Sequence, residues 1–388
     1  MKRPLLNRRL DGLGNTIFGV MSATAAATGS VNLGQGFPDV DGPPEIAARA
    51  ADAVLSGQGN QYPPATGIPE LRQAVARHQQ RFYRLDYDPD TEVLVTTGAT
   101  EAIAAALLAL LEPGDEVIAF EPYYDSYVAG IAMAGATRVP LTLRPPYFRP
   151  DLAELESKIT SRTRLLLVNS PHNPTGMVLT RAETEAIARL AVDHDLLVIA
   201  DEAYEHLTFG VPHVPLASMA GMRGRVLSIG SAGKTFSFTG WKVGWATGSP
   251  DLIGAVRTTK QFLTYVSGGP FQYAVAEALD LPDRYYAEAA AGLRARRDLM
   301  VAGLREIGFT VFQPDGTYFI TTDIAPLGER DAVEFCLALP GRAGVVAIPS
   351  AVFYDDHPAD GATMVRFAFC KRQEVLKEAL SRLSVLAR

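Results

Sequence analysis

Cysteine is nearly missing: 388 residues contain two, Cys336 and Cys370, and no C-x-x-C pair. A disulfide framework and a cysteine-built zinc site are therefore not expected, and the composition fits a reducing compartment. Long apolar runs are also lacking. The longest, Ala102 to Leu111, is about half of the ~20 residues that span a bilayer. Positive charge is in deficit, with 36 Lys and Arg against 43 Asp and Glu for a net charge of −7. That balance argues against nucleic acid or an anionic membrane surface as partner. No solenoid repeat and no low-complexity tract is visible. The basic stretch Met1 to Leu10 and the apolar Ile17 to Met21 imitate a secretion signal. The apolar part is shorter than the ~7–15 residues required, and Asp11 precedes it. A soluble, cytoplasmic protein with no metal site is the expectation.

What is present is ordinary globular composition, 47% hydrophobic and 20% charged. Short apolar runs alternate with helical patterns through the middle of the chain. Strands are predicted at Val93 to Thr97, Glu116 to Phe120, Arg164 to Val168, Leu196 to Ala200, Val226 to Ile229 and Val243 to Ala246. Both alternating faces of these runs are apolar, as in strands covered by helices on two sides. This means an α/β fold with a mostly parallel sheet. After Tyr285 the pattern changes to a charged amphipathic helix (Ala287 to Ile307), strands at Phe309 to Phe312 and Thr317 to Thr322, a helix from Arg330, strands near Val345 and at Met364 to Phe369, and a last helix from Gln373. A smaller α+β unit is expected there. The division is placed at 1–44 (an N-terminal arm, helical over Asn15 to Thr28, with part of the small unit), 45–285 and 286–388.

Three polar residues stand just after predicted strands: Asn173, Asp201 and Lys234. In open α/β sheets ligands bind beyond that end of the strands. Singly, each has a plain structural reading as turn residue, helix cap or loop amine. Together, at one sheet edge, they mark a site. The run Gly230 to Thr235 imitates a phosphate-binding P-loop, but that motif needs glycine where Ser228 stands, and Phe236 to Gly240 is a poor helix start.

Ser231-Ala-Gly-Lys-Thr-Phe-Ser-Phe-Thr-Gly-Trp-Lys-Val-Gly-Trp245 resembles the cofactor-lysine segment of the class I pyridoxal-phosphate aminotransferases. Asn173-Pro-Thr-Gly176 and Asp201-Glu-Ala-Tyr204 match the same family in order and separation. Asn32 to Asp39, Asn60 to Pro64 and Val365 to Phe369 extend the resemblance over nearly the whole chain. It is closest to the branch of kynurenine, glutamine, methionine and succinyldiaminopimelate aminotransferases. The implied fold is fold type I: a large domain whose mostly parallel sheet is sandwiched by helices, plus a smaller α+β domain.

The resemblance implies roles for particular residues. Lys234 would form the Schiff base with the pyridoxal phosphate aldehyde and then shuttle a proton. Asp201 would keep the ring nitrogen protonated. Asn173 and Tyr204 would donate hydrogen bonds to the ring oxygen, and Tyr124 would stack on the ring. Gly98, Ala99 and Thr100, at a helix start, would cup the phosphate with Ser231 and Lys242. Lys242 puts a point charge where the family often has arginine. Tyr62 either reaches the phosphate of a neighbouring subunit, implying a homodimer with shared sites, or fills the core of a Pro-rich loop. Arg366 and Gly36 would take the substrate carboxylate. Lys371 and Arg372 look like surface charges of the last helix.

Two reactions compete on this machinery: amino transfer between an amino acid and a 2-oxo acid, and β-elimination from sulfur-containing amino acids (a C–S lyase). The full motif set favours transfer. A cofactor-binding regulator would need a DNA-binding part for which the chain has no room. No second arginine for a distal carboxylate is identifiable. Gly268-Gly269 stands where kynurenine-type members tend to carry a bulky side chain, and either forms a turn or makes space for a long, polar donor. The expected donors are N-succinyl-LL-2,6-diaminopimelate or a broad glutamine, methionine and kynurenine set, with glutamate and 2-oxoglutarate as the other pair.

Overall fold

The computed structural model describes residues 5–13, 17–354 and 358–387. Residues 1–4 of the basic stretch and the expected helix start at Asn15 lie outside them; the helix is present over Ile17–Thr28. Seven strands form the main sheet. From one edge the order is Val93–Thr96, Gly244–Thr247, Val226–Ser231, Leu197–Asp201, Thr163–Asn169, Glu116–Glu121 and Thr137–Thr142. All pairings are parallel except those of Gly244–Thr247, which runs antiparallel to both neighbours. The sequence pattern marked that strand without its direction, because burial on both faces looks the same either way. It left the edge strand Thr137–Thr142 unmarked.

Alternation along the strands feeds two separate cores. Leu166, Val168, Val198 and Ala200 enter one, with Leu71 and Val75 of the helix Pro69–Tyr83 and Ile46 of the helix Pro44–Leu55. Leu165, Leu167, Ile199 and Leu227 enter the other, against Ala102, Ile103, Ala106 and Leu107 of the helix Gly98–Leu110. Proline at the first helical position sets the start of Pro44–Leu55, Pro69–Tyr83 and Pro250–Leu263. A capping box between Thr180 and Glu183 starts Arg181–Asp193.

A third core lies around a four-stranded antiparallel sheet ordered Ile348–Pro349, Met364–Ala368, Phe319–Asp323 and Thr310–Phe312. The strand expected near Val345 is split, since Val345–Val346 pairs in parallel with Val31–Asn32 instead. The 25-residue helix Asp283–Ile307 buries Tyr286 in the first core and Met300, Val301 and Leu304 in the third. Gly308, at φ +112°, ends it in the left-handed conformation that glycine adopts without strain. No helix among the described residues is long and apolar enough to cross a membrane.

The P-loop imitation dissolves at this level. Gly230 lies inside the strand Val226–Ser231, where a Cβ would come within 2.4 Å of the Trp245 ring. It is glycine because of Trp245, not because of a phosphate.

Candidate active site

Strand register lines up the site before any side chain is considered. Asn169 pairs with Asp201, and Asp201 with Ile229. Gly244 pairs with both Thr96 and Ser231. Strand ends carrying Asn169, Asp201 and Ser231 therefore meet the start of the helix Gly98–Leu110. A cleft of about 340 Å³ opens there. Its walls include Gly36, Gly98, Ala99, Thr100, Tyr124, Asn173, Asp201, Tyr204, Ser231, Lys234, Lys242 and Arg366. Of the residues that the resemblance assigns to cofactor or substrate, Tyr62 is the one not brought to this cleft. It is 81% exposed, with its ring edge-on to Tyr265, which removes its reading as a core aromatic.

Asp201 is buried on the floor. Tyr127 donates its hydroxyl proton to Asp201 Oδ2 at 2.5 Å, and the Ala203 N–H donates to Oδ1 at 3.2 Å. Burial pushes the Asp201 carboxyl up, while these two donors and Lys234 pull it down. The carboxylate is thus placed to gain from a cation that shares its dry site. Asn169 braces the floor: its Nδ2 donates to the Asp201 carbonyl at 2.8 Å, and its Oδ1 accepts the Asn173 N–H at 2.8 Å.

Lys234 projects from the four-residue helix Ala232–Thr235, directly after the strand Val226–Ser231. Its Nζ lies 5.9 Å from the ring centroids of both Tyr204 and Tyr318. Burial lowers its pKa; Lys242 and Arg366 lower it further, against Cys370 and Asp201. Burial in this position makes the amine give up its proton more easily than a lysine in water.

Arg366 sits in the middle of the antiparallel sheet, opposite Thr321 and Ile348. One terminal nitrogen donates to Asn173 Oδ1 at 3.0 Å and the other to the Gly34 carbonyl at 2.9 Å, while the buried Nε has no partner. Its guanidinium lies 4.1 Å from the centroid of the Phe319 ring. Burial lowers its pKa to about 10, so it stays a cation at neutral pH. Gly36 adjoins it, and a Cβ there would meet Phe319 Cζ at 2.5 Å. Glycine is thus demanded by the ring that holds the arginine, beyond any close approach of a ligand. Tyr318 locks the same stretch by donating to the Gly36 carbonyl at 2.6 Å.

The remaining corner is an anion cup. Gly98, at φ +75°, opens its helix, and a Cβ there would lie 3.4 Å from Lys242 Nζ. Free N–H groups of that first turn, Ser231, Thr100 and the Lys242 ammonium face one pocket, the donor set a phosphate needs. Tyr124, held by a hydrogen bond to Thr100, forms an aromatic wall. These residues fit pyridoxal phosphate: a cationic and amide cup for its phosphate, a buried carboxylate for its ring nitrogen, an amine for its aldehyde.

Sequence reasoning missed Tyr127, Asn169, Asp125, Gln35, Phe18 and Phe319, all in the cleft wall. Tyr127 left a usable signal, since a tyrosine on an apolar helix face needs a buried acceptor for its hydroxyl. Two expectations are corrected. Lys371 is 5% exposed; its Nζ donates to the Phe37 carbonyl at 2.7 Å and lies over the Phe37 ring. Its aliphatic stem can be buried while the ammonium is satisfied. Gly268-Gly269 does not line the cleft of this chain. A Cβ at Gly269 would come within 2.2 Å of the Gly59 carbonyl oxygen, so this glycine answers a close backbone contact.

A family model described as aminotransferase class I and II matches residues 28–383. The chain is similar to a Mycobacterium tuberculosis protein named probable N-succinyldiaminopimelate aminotransferase, at 53% identity over 98% of each chain. It is also similar to methionine aminotransferase of Escherichia coli, at 39% identity over 97% of each. The solved structure of N-succinyldiaminopimelate aminotransferase from Mycobacterium tuberculosis superposes with a TM-score of 0.96, covering 98% of this chain and 100% of that one.

Proposed function

The chain belongs to the class I and II aminotransferases, and from that premise we propose how its cleft works and on what. It is a pyridoxal-phosphate-dependent aminotransferase of fold type I. The bound cofactor supplies a ring that accepts an electron pair and a carbon that carries the amino group between substrates. With the cofactor bound, Lys234 Nζ would take the proton from the substrate α-carbon and deliver it to the cofactor carbon that takes up the amino group, a task suited to an amine whose pKa burial has lowered. Asp201 would keep the ring nitrogen protonated by its negative charge. Asn173 and Tyr204 would hold the ring from one edge, and Tyr124 would cover its face. Arg366 reads the α-carboxylate, already aimed by Asn173 and Gly34.

The donor we propose is N-succinyl-LL-2,6-diaminopimelate, with glutamate and 2-oxoglutarate as the second pair. The similarity to the Mycobacterium tuberculosis protein supports this choice. We also propose a cytoplasmic homodimer. Two unpaired cysteines fit a reducing compartment. Tyr62, Phe262 and Tyr265 leave aromatic surface in water, and a second copy would cover it and bring Tyr62 to the neighbouring phosphate cup.

The observation that carries the reaction is the convergence of Lys234, Asp201, Asn173 and Arg366 on one cleft. The test is a half-reaction screen of single amino acids against cofactor-loaded enzyme, following the spectral change to the amino form of the cofactor. Succinyldiaminopimelate and glutamate should react fastest. Equal rates with glutamine, methionine or kynurenine would replace the narrow donor by the broad set. Release of pyruvate and ammonia without that conversion would make the enzyme a lyase.

A further inference from the structure

A second group of titratable side chains is not used by the cleft. Glu205 and His206 directly follow Tyr204, and His78 comes from the helix Pro69–Tyr83. One ligand atom from each of these three lies within 4.8 Å of the others. His78 Nε2 and His206 Nε2 are 2.6 Å apart. His78 is 1% and Glu205 4% exposed, and Glu205 Oε2 takes no hydrogen bond. Rings of Phe82, Tyr83 and Tyr286 pack around the two histidines.

This arrangement is hard to account for as simple packing. One proton between two imidazole nitrogens satisfies that contact and leaves the buried carboxylate oxygen unpaired. Imidazole binds a metal through an unprotonated ring nitrogen. Tyr83 and Gln79 also contribute hydrogen bonds to the Glu205 carboxyl, and Oε2 is left without one.

We propose that His78, Glu205 and His206 form a binding site for one divalent first-row transition cation of the zinc or cobalt class, which ties the Asp201–His206 segment to the helix Pro69–Tyr83. Two imidazole nitrogens and one carboxylate oxygen suit such a cation, and disfavour magnesium or calcium, which want oxygen alone. Metal–nitrogen distances of about 2.0–2.1 Å in a tetrahedral site place the two nitrogens roughly 3.3 Å apart. The rings must therefore part by several tenths of an ångström on binding. A surface cavity lies close by, lined by Phe82, Tyr83 and His213, and the Phe82 and Tyr83 rings also pack on the two histidines. His213 has no hydrogen bond on either ring nitrogen, and its Nε2 stands 3.4 Å from Glu202 Oε1. The three proposed ligands form no sequence motif, the histidines standing 128 positions apart, so the sequence led to no expectation of a metal.

The experiment uses the holoenzyme, freed of metal by a chelator and dialysed against Co²⁺ or Zn²⁺. One ion per chain is expected, with the visible ligand-field bands of tetrahedral cobalt and a raised Tm. His78→Phe, which keeps a ring of similar size among aromatic neighbours, and the near-isosteric Glu205→Gln should each abolish the bands and the stoichiometric ion. Wild-type protein that retains no ion after dialysis overturns the proposal. So does undiminished stoichiometry in Glu205→Gln, which would assign the ion to the cofactor cleft or the surface. Should His78→Phe fail to fold, Glu205→Gln carries the decision.

Discussion

The floor of the cleft and the exposed aromatic rim around Tyr62, which lies outside the cleft lining of this chain, are built by opposite means. On the floor, Asp201, Asn169, Asn173 and Tyr127 are buried and hold one another through bonds of 2.5–2.8 Å and the Asn173–Arg366 link. At the rim, Tyr62 touches Tyr265 and is otherwise in solvent, and Phe262 is 85% exposed. The floor is preorganised by the sheet, so its groups meet a reacting molecule without rearranging. The rim has no such support within one chain, which is why a second copy is proposed there.

The comparison can be broken most directly at Lys234. Lys234→Ala should slow single-turnover amino transfer by about 10⁴-fold, the upper range for losing a positioned acid–base group; a rate near wild type would remove Lys234 from the chemistry. Arg366→Ala should come next. Loss of a charge-assisted pair, worth roughly 1.5–3 kcal/mol, should raise KM for every donor about tenfold to a hundredfold. A KM change confined to one donor would mean that Arg366 reads the distal group instead.

Gly36→Ala sharpens the same contrast more gently. Its methyl would displace Phe319, and with it Arg366, raising KM by about tenfold, in line with small-to-large strain of ~1–3 kcal/mol. A crystal structure with Phe319 unmoved would refute the reasoning. At the rim, Tyr62→Phe should weaken cofactor affinity by only about 2–10-fold, one neutral hydrogen bond, and by the same factor in every subunit. No change at all would leave Tyr62 outside the phosphate cup.

The smallest effect should be visible only in acid. His172 is buried beside Thr175, and burial, partly opposed by a bond to the Pro122 carbonyl, lowers its pKa to about 3. Its folded pKa is depressed below the unfolded value, so the unfolded chain binds the proton first. The resulting stability loss grows as pH falls from about 6.5 towards 3. His172→Asn should flatten that part of a Tm-against-pH curve while leaving the neutral end little changed; an unaltered slope would contradict it.

The floor was legible in the sequence because strand ends punctuate it. Asn173, Asp201 and Lys234 each follow an apolar run, and the register of a parallel sheet brings such positions together. Residues whose placement depends on tertiary neighbours were not legible. Tyr127 and Phe319 look like core aromatics, and their importance lies in what the hydroxyl or ring touches. Lys371 resembles a surface charge because nothing local shows that Phe37 lies beneath it. Gly269 and Gly230 resemble room or a phosphate loop, yet each yields to one neighbour, the Gly59 backbone or the Trp245 ring. The antiparallel strand Gly244–Thr247 was invisible as such, since an apolar run carries no arrow.

The helix Asp283–Ile307 has a mechanical consequence. At about 1.5 Å per residue its 25 residues make a rod some 37 Å long, gripped at Tyr286 by one core and at Met300 to Leu304 by another. A rod anchored at both ends is a lever. A tilt of about 5° about one anchor swings its far end by about 3 Å, about the length of one hydrogen bond.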